Sequence, residues 1–156
     1  YSLVRKVFRI DDSADCAERM NKYSDELGMT IGEALLTPTK IYVKPLLAAI
    51  EKVDVRAVSH ITGGGFIENV PRMLKAGTRA KIDKNSFDRL PVFDMIQKLG
   101  DISERDMYNT YNMGIGLMLA VPKTQADKAF EALKDCGEDA AVIGEIVSGE
   151  KGVDIC

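Results

Sequence analysis

This 156-residue chain has little cysteine, a single histidine and no long apolar run. Its three cysteines, Cys16, Cys136 and Cys156, are odd in number, far apart in sequence and form no Cys-x-x-Cys pair. That argues against a disulfide framework or a zinc site, so no metal ligands are expected, and a reducing compartment fits best. No apolar run approaches the length of a membrane span, and the first residues do not read as a signal peptide. A cytoplasmic chain with no membrane partner is the expectation. Positive charge is not in excess, with 21 Lys and Arg against 24 Asp and Glu for a net charge of −3. No basic patch stands out, and nucleic acid is not an expected partner. There is no internal repeat and no low-complexity tract. A single histidine, His60, is the one side chain whose ordinary pKa suits proton transfer near neutral pH.

What is present is an ordinary globular composition, 46% hydrophobic and 29% charged, at a length that suits one compact domain. The organising stretch runs from Val58 to Arg72. It opens as a strand, expected over Val55 to Ile61, and meets Gly63, Gly64 and Gly65 before an amphipathic run of Phe66, Ile67, Val70, Met73 and Leu74. Glycines admit positive φ and a close ligand, and the N–H groups of a following helix favour an anion. No Lys-Ser/Thr follows the glycines and G-x-G-x-x-G does not fit, so neither a P-loop nor a dinucleotide fingerprint is present. A plain tight turn is the alternative reading of the same glycines. Around them, His60 is a candidate for catalysis, with a hydrogen-bonded structural histidine as the bland alternative. Thr62, Asn69 and Arg72 are candidates for orienting a ligand, and Arg72 has the planar fork that suits phosphate. Pro71 is expected in the first turn of a helix, with Asn69 as its cap.

Elsewhere the pattern predicts helices over Ser2 to Ile10 and Ala14 to Tyr23, the second capped by Asp11-Asp12-Ser13. A loop follows from Leu27 to Gly32, then a short apolar segment from Ile31 to Leu36 and an extended Leu36-Thr37 ahead of Pro38. Ile41-Tyr42 reads as a short strand or turn. A helix over Lys44 to Val53 should bury Leu46, Leu47, Ala49 and Ile50. The helix after the glycines should close near Gly77. A strand is expected over Thr78 to Ile82, and a helix over Pro91 to Leu99 with Phe93, Ile96 and Leu99 inward. Ser103 and Asp106 have capping-box spacing. Ile115 to Val121 reads as a central strand, with Ile115, Leu117, Leu119 and Val121 almost fully buried. A helix over Lys123 to Cys136 should turn Ala126, Ala129, Phe130 and Leu133 inward. Strands are expected over Ala140 to Val147, interrupted at Gly144, and over Gly152 to Cys156. This is an α/β (α+β) domain with a mixed sheet covered by helices. A second turn, Asn112 to Gly116, also lies at a strand junction, where α/β sheets place ligands. Asn112 could supply a neutral hydrogen bond there, while the glycines could equally serve close packing.

Four blocks occur together and in order: Tyr1-Ser2-Leu3-Val4-Arg5-Lys6, Leu36-Thr37-Pro38-Thr39-Lys40-Ile41-Tyr42, His60 to Arg72, and Tyr111-Asn112-Met113-Gly114-Ile115-Gly116. Through them the whole chain resembles the C-terminal domain of the phosphoribosylformylglycinamidine cyclo-ligase (aminoimidazole ribonucleotide synthetase) family. The resemblance implies a superfamily in which an N-terminal ATP-binding domain precedes a C-terminal α/β domain. It implies that this chain, which starts at Tyr1, is a fragment lacking that N-terminal domain. It also implies a parent enzyme, a homodimer using ATP and Mg²⁺, that closes the imidazole ring of purine biosynthesis on a ribonucleotide substrate. The fragment alone is then expected to be inactive and to hold no cofactor beyond phosphate or sulfate. Under this reading Gly63, Gly64 and Gly65 cradle phosphate, and His60 moves a proton. Another enzyme of the superfamily, or a non-catalytic phosphate-binding or oligomerisation module, are the alternatives.

Overall fold

The computed structural model describes residues 1–11 and 14–156. They divide into two compact units, Tyr1–Thr39 with Arg89–Met107, and Lys40–Asp88 with Tyr108–Cys156.

The first unit is mostly helical. Helix α1 (Ser2–Val7) packs on α6 (Pro91–Gly100), and α2 (Cys16–Asn21) packs on α3 (Ile31–Leu36). The first helix is shorter than its periodicity predicts, because Arg9 takes φ 51° and turns the chain. The cap assigned to Asp11-Asp12-Ser13 rests on residues 12 and 13, which lie outside the described ones. The expected loop from Leu27 to Gly32 is only partly a loop: Met29–Thr30 form β2, paired with β1 (Tyr23–Ser24), where the second helix was expected to end, and Ile31 and Gly32 already belong to α3. The hairpin leads into α3 through a capping box: the Thr30 hydroxyl accepts from the Glu33 N–H at 3.2 Å, and Glu33 Oε2 accepts from the Thr30 N–H at 2.8 Å. The Thr-x-x-Glu spacing of this box was there to be read. Pro91 starts α6 as expected, since its missing N–H is harmless in a first turn. Leu99 stands exposed rather than inward, and Ile96 carries the burial. Ser103 Oγ accepts from the Asp106 N–H at 3.1 Å, which bears out that cap at the start of α7 (Glu104–Thr110).

In the second unit, helix α4 (Val43–Lys52) packs on α8 (Ala126–Asp135), which follows a 3₁₀ turn over Lys123–Gln125. Strand β3 (Ala57–His60) pairs antiparallel with β5 (Leu117–Ala120). Strand β4 (Thr78–Ile82) lies between β6 (Gly144–Ser148), antiparallel, and β7 (Gly152–Ile155), parallel. The mixed sheet is therefore present, and α5 (Gly65–Met73) packs against β3, β4 and β7. Among the described residues β5 has β3 as its one strand neighbour, so it is not central. Ile115, Leu117, Leu119 and Val121 are accordingly half-buried, and Met118 on the opposite face is the buried residue. No strand forms at Ile41-Tyr42. The apolar arc of α4 is wider than its covered side: Ala49 is buried, whereas Leu47 and Ile50 are exposed, as is Phe130 on α8. Phe66, Ile61, Met113 and Val70 are fully buried. Arg79 pairs with Asp154 across β4 and β7, its Nε donating to Oδ2 at 2.6 Å, and this hydrogen bond holds the Asp154 carboxyl below its usual range.

Pro71 corrects the expected helix start. The helix begins at Gly65, with Gly64 as N-cap, so Pro71 sits inside its last turn and Asn69 lies mid-helix rather than at a cap. Leu74 ends the helix in extended backbone, before Gly77 is reached. A proline so close to a C-terminus removes one intrahelical hydrogen bond and stops the helix soon after.

Candidate functional site

The glycine turn joins β3 to α5. Gly64 has φ 94° and Gly65 φ 52°, both in the left-handed region that favours glycine, whereas Gly63 does not need it. A side chain on Gly65 would lie 2.1 Å from the Tyr108 carbonyl oxygen, so Gly65 is required by packing. A Cβ on Gly64 would meet the Glu68 side chain, and one on Gly63 would stand in open space. Packing thus requires glycine at Gly65, whereas Gly63 faces open space.

Asn69 is buried, and its side chain faces the turn rather than solvent. Its Nδ2 donates to the carbonyl oxygens of Gly65 at 2.8 Å, Gly63 at 3.1 Å and Thr62 at 3.5 Å. A trans peptide points its N–H opposite to its C=O. Carbonyls of Thr62, Gly63 and Gly65 drawn inward therefore turn the N–H groups of Gly63, Gly64 and Phe66 outward. Among the described residues none of these three N–H groups has an acceptor. The Gly65 N–H does, at Thr62 O, 3.0 Å away. Ser59 Oγ donates to the Asn69 carbonyl at 3.0 Å and fixes the helix to β3 from below. Three outward donors thus stand at the positive end of a helix, where negative charge is favoured.

The charged residues around it are split. Arg72 is exposed and reaches Glu68 at 3.4 Å and Asn69 Oδ1 at 3.5 Å, and it stands about two turns along from the N–H groups. The Glu68 carboxylate lies in the first turn and opposes an anion unless Arg72 offsets it. His60, exposed at the end of β3, faces Tyr42 edge-on, ring centroids 6.1 Å apart. Ile61 donates to Gly116 O at 2.9 Å, which ties the glycine turn to the second turn. There Asn112 Oδ1 accepts from the Gly114 N–H at 3.1 Å, so its oxygen shapes its own loop and its Nδ2 is the group left for a ligand. His60, Thr62, Gly63, Gly64, Gly65, Asn69, Arg72 and Asn112 all belong to the second unit. Gly116 lies in the second turn the sequence singled out, whereas Tyr42 was not among the candidates, since only proximity joins it to His60 and Gly116. A separate concavity lined by Lys22, Ser24, Glu26 and Lys98 belongs to the first unit and includes none of the candidate residues.

Residues 2–156 match the family model of the AIR synthase related protein, C-terminal domain. The chain belongs to this family. A phosphoribosylformylglycinamidine cyclo-ligase of Lachnoclostridium phytofermentans is 55% identical over all of this chain and 45% of its own length. One of Agathobacter rectalis is 52% identical over 99% of this chain and 44% of its own length. The chain thus spans under half the length of these curated relatives. Escherichia coli HypE, in a crystal structure, has a similar fold, with a TM-score of 0.62 at 20% identity over 90% of this chain and 40% of that one. The AIR synthase-related C-terminal domain fold is therefore found, with its α+β mixed-sheet class, by sequence and by structure. No helix among the described residues is long and apolar enough to cross a membrane.

Proposed function

We propose that this chain is the C-terminal part of an ATP-dependent cyclo-ligase that converts formylglycinamidine ribonucleotide to aminoimidazole ribonucleotide. The observation that carries the reading is identity above half over essentially the whole chain to two proteins of that name. In the reaction ATP phosphorylates the formyl amide oxygen, the amidine nitrogen attacks that carbon, and phosphate leaves as the ring closes. ATP would supply the phosphoryl group and leave as ADP, Mg²⁺ would offset the phosphate charge, and a preceding ATP-binding domain of a cytoplasmic homodimer would hold most of both. Among the described residues no three His, Cys, Asp or Glu side chains converge as a metal site.

The residues here do two jobs. The N–H groups of Gly63, Gly64 and Phe66 bind phosphate oxygens, with Arg72 reinforcing the charge and Thr62 and Asn112 orienting the substrate. His60 moves a proton between the cyclising nitrogen and solvent. In the longer protein, His60→Ala is expected to lower kcat/KM by about 100-fold or more, the usual worth of a positioned acid or base. Unchanged kcat/KM would remove His60 from the chemistry. The 156-residue chain alone is expected to give no substrate-dependent ATP hydrolysis. Turnover by it would contradict the division of labour between the two domains.

A further inference from the structure

The block Lys40-Ile41-Tyr42 has no role in the reading above, yet it ends against the candidate site. The Tyr42 ring lies edge-to-face with His60, centroids 6.1 Å apart and planes at 67°. Its other contact is with Gly116, where an added Cβ would fall 2.1 Å from the Tyr42 hydroxyl oxygen and 2.7 Å from Cζ. The phenol thus occupies the place of a side chain at Gly116. This explains that glycine by close approach, since it is not among the residues of positive φ. Gly116 is itself tied to the residue after His60 by the Ile61 N–H bond of 2.9 Å. Lys40 donates to Glu138 Oε2 at 2.7 Å and anchors the segment two residues before the ring. Tyr42 is half-buried, and burial pushes its phenol above the ordinary value, so it is neutral at pH 7.

We propose that Tyr42 is a positioning residue for His60. Seated on Gly116, it presents a fixed wall to the exposed imidazole and limits the ring to orientations that serve proton transfer. Edge-to-face geometry at this separation is a favoured arrangement for two rings, and an exposed side chain without it samples several rotamers. The inference rests on the acid–base role assigned to His60.

The single histidine gives one imidazole Cε1–H resonance, which makes the test direct. In the wild-type chain this resonance should sit away from the free-histidine position because of the Tyr42 ring current. Tyr42→Leu should return it toward that position, Tyr42→Phe should retain the displacement, and Gly116→Ala should mimic Tyr42→Leu by pushing the phenol aside. Backbone amide spectra of the variants check that each is folded. In the longer enzyme, Tyr42→Leu should lower kcat about tenfold, a part of the worth of the acid–base group, with Tyr42→Phe restoring it and KM little changed. A wild-type resonance at the free-histidine position, or one indifferent to Tyr42→Leu and Gly116→Ala, overturns the contact. An intact contact with unaltered kcat in Tyr42→Leu overturns the positioning role while His60 stands. If His60→Ala is also without effect, the acid–base reading fails and the Tyr42 role falls with it.

Discussion

Gly65→Ala is expected to cost about 2–5 kcal/mol. Two effects add at this residue. Positive φ strains any L side chain by about 1–2 kcal/mol, and overpacking a filled site costs about 1–3 kcal/mol. The obstacle is backbone: the new methyl would stand 2.1 Å from Tyr108 O and 2.7 Å from Tyr111 O. Neither carbonyl can rotate away as a side chain would, so the end of α7 must move. Urea unfolding measures the loss, and a midpoint within error of wild type would show that the turn and the Tyr108–Tyr111 segment do not meet as described. Gly63→Ala is the control, because its methyl enters open space at ordinary φ.

Asn69→Asp is expected to be comparably severe and to carry a pH signature. The change keeps the shape and replaces the donor that holds Gly63 O and Gly65 O with an oxygen. An ionised carboxylate here takes the side-chain donor from Gly63 O and Gly65 O and faces them with negative charge, which the Arg72 guanidinium 3.5 Å from Oδ1 offsets only in part, at about 3–5 kcal/mol. Desolvation and those oxygens raise the folded-state pKa of the new acid above its unfolded value near 3.9. The folded state then binds more protons than the unfolded state between the two values, so stability falls as pH rises through that window. The variant should be least damaged below about pH 4, where a protonated acid can still donate one hydrogen bond, and most damaged near pH 7. Denaturant midpoints at the two pH values decide this. A deficit that is the same at both would mean that the carboxylate finds solvent and that Asn69 does not hold the turn.

These two residues mark how far the sequence could be read. Gly63 to Gly65 announced a strand-to-helix turn, because consecutive glycines between a β-branched run and an amphipathic run have few other uses. The bounds of β4, the Pro91 start of α6, the Ser103 cap and β7 followed from local chemistry that the fold leaves undisturbed. Asn69 and Pro71 were misplaced for a physical reason. Both residue types are common at helix starts, and nothing local says that this helix has already begun at Gly65. Only the turn carbonyls, four to seven residues back, supply the partners that keep an asparagine buried mid-helix. Leu47, Ile50, Leu99 and Phe130 fail differently. Helical period tells which residues share a face, and it does not tell how much of that face is covered. Apolarity on both sides of β5 likewise reads as a central strand, whereas the strand has one neighbour and one buried methionine. The pairing of Tyr42 with Gly116 joins residues 74 positions apart and left no local trace.

We infer that the glycine turn is an oxyanion cradle, with its N–H groups set outward by Asn69. Titration of the chain with inorganic phosphate, followed by backbone amide NMR, decides this. The donors are backbone groups of one turn, so binding should persist weakly, with a Kd in the millimolar range and a binding free energy of about −4 kcal/mol. The amides of Gly63, Gly64 and Phe66 should move together and saturate, with Arg72→Ala weakening the response by loss of one charge-assisted contact. If those three amides stay fixed while amides elsewhere shift, the glycines serve the turn alone and the phosphate-binding assignment is wrong.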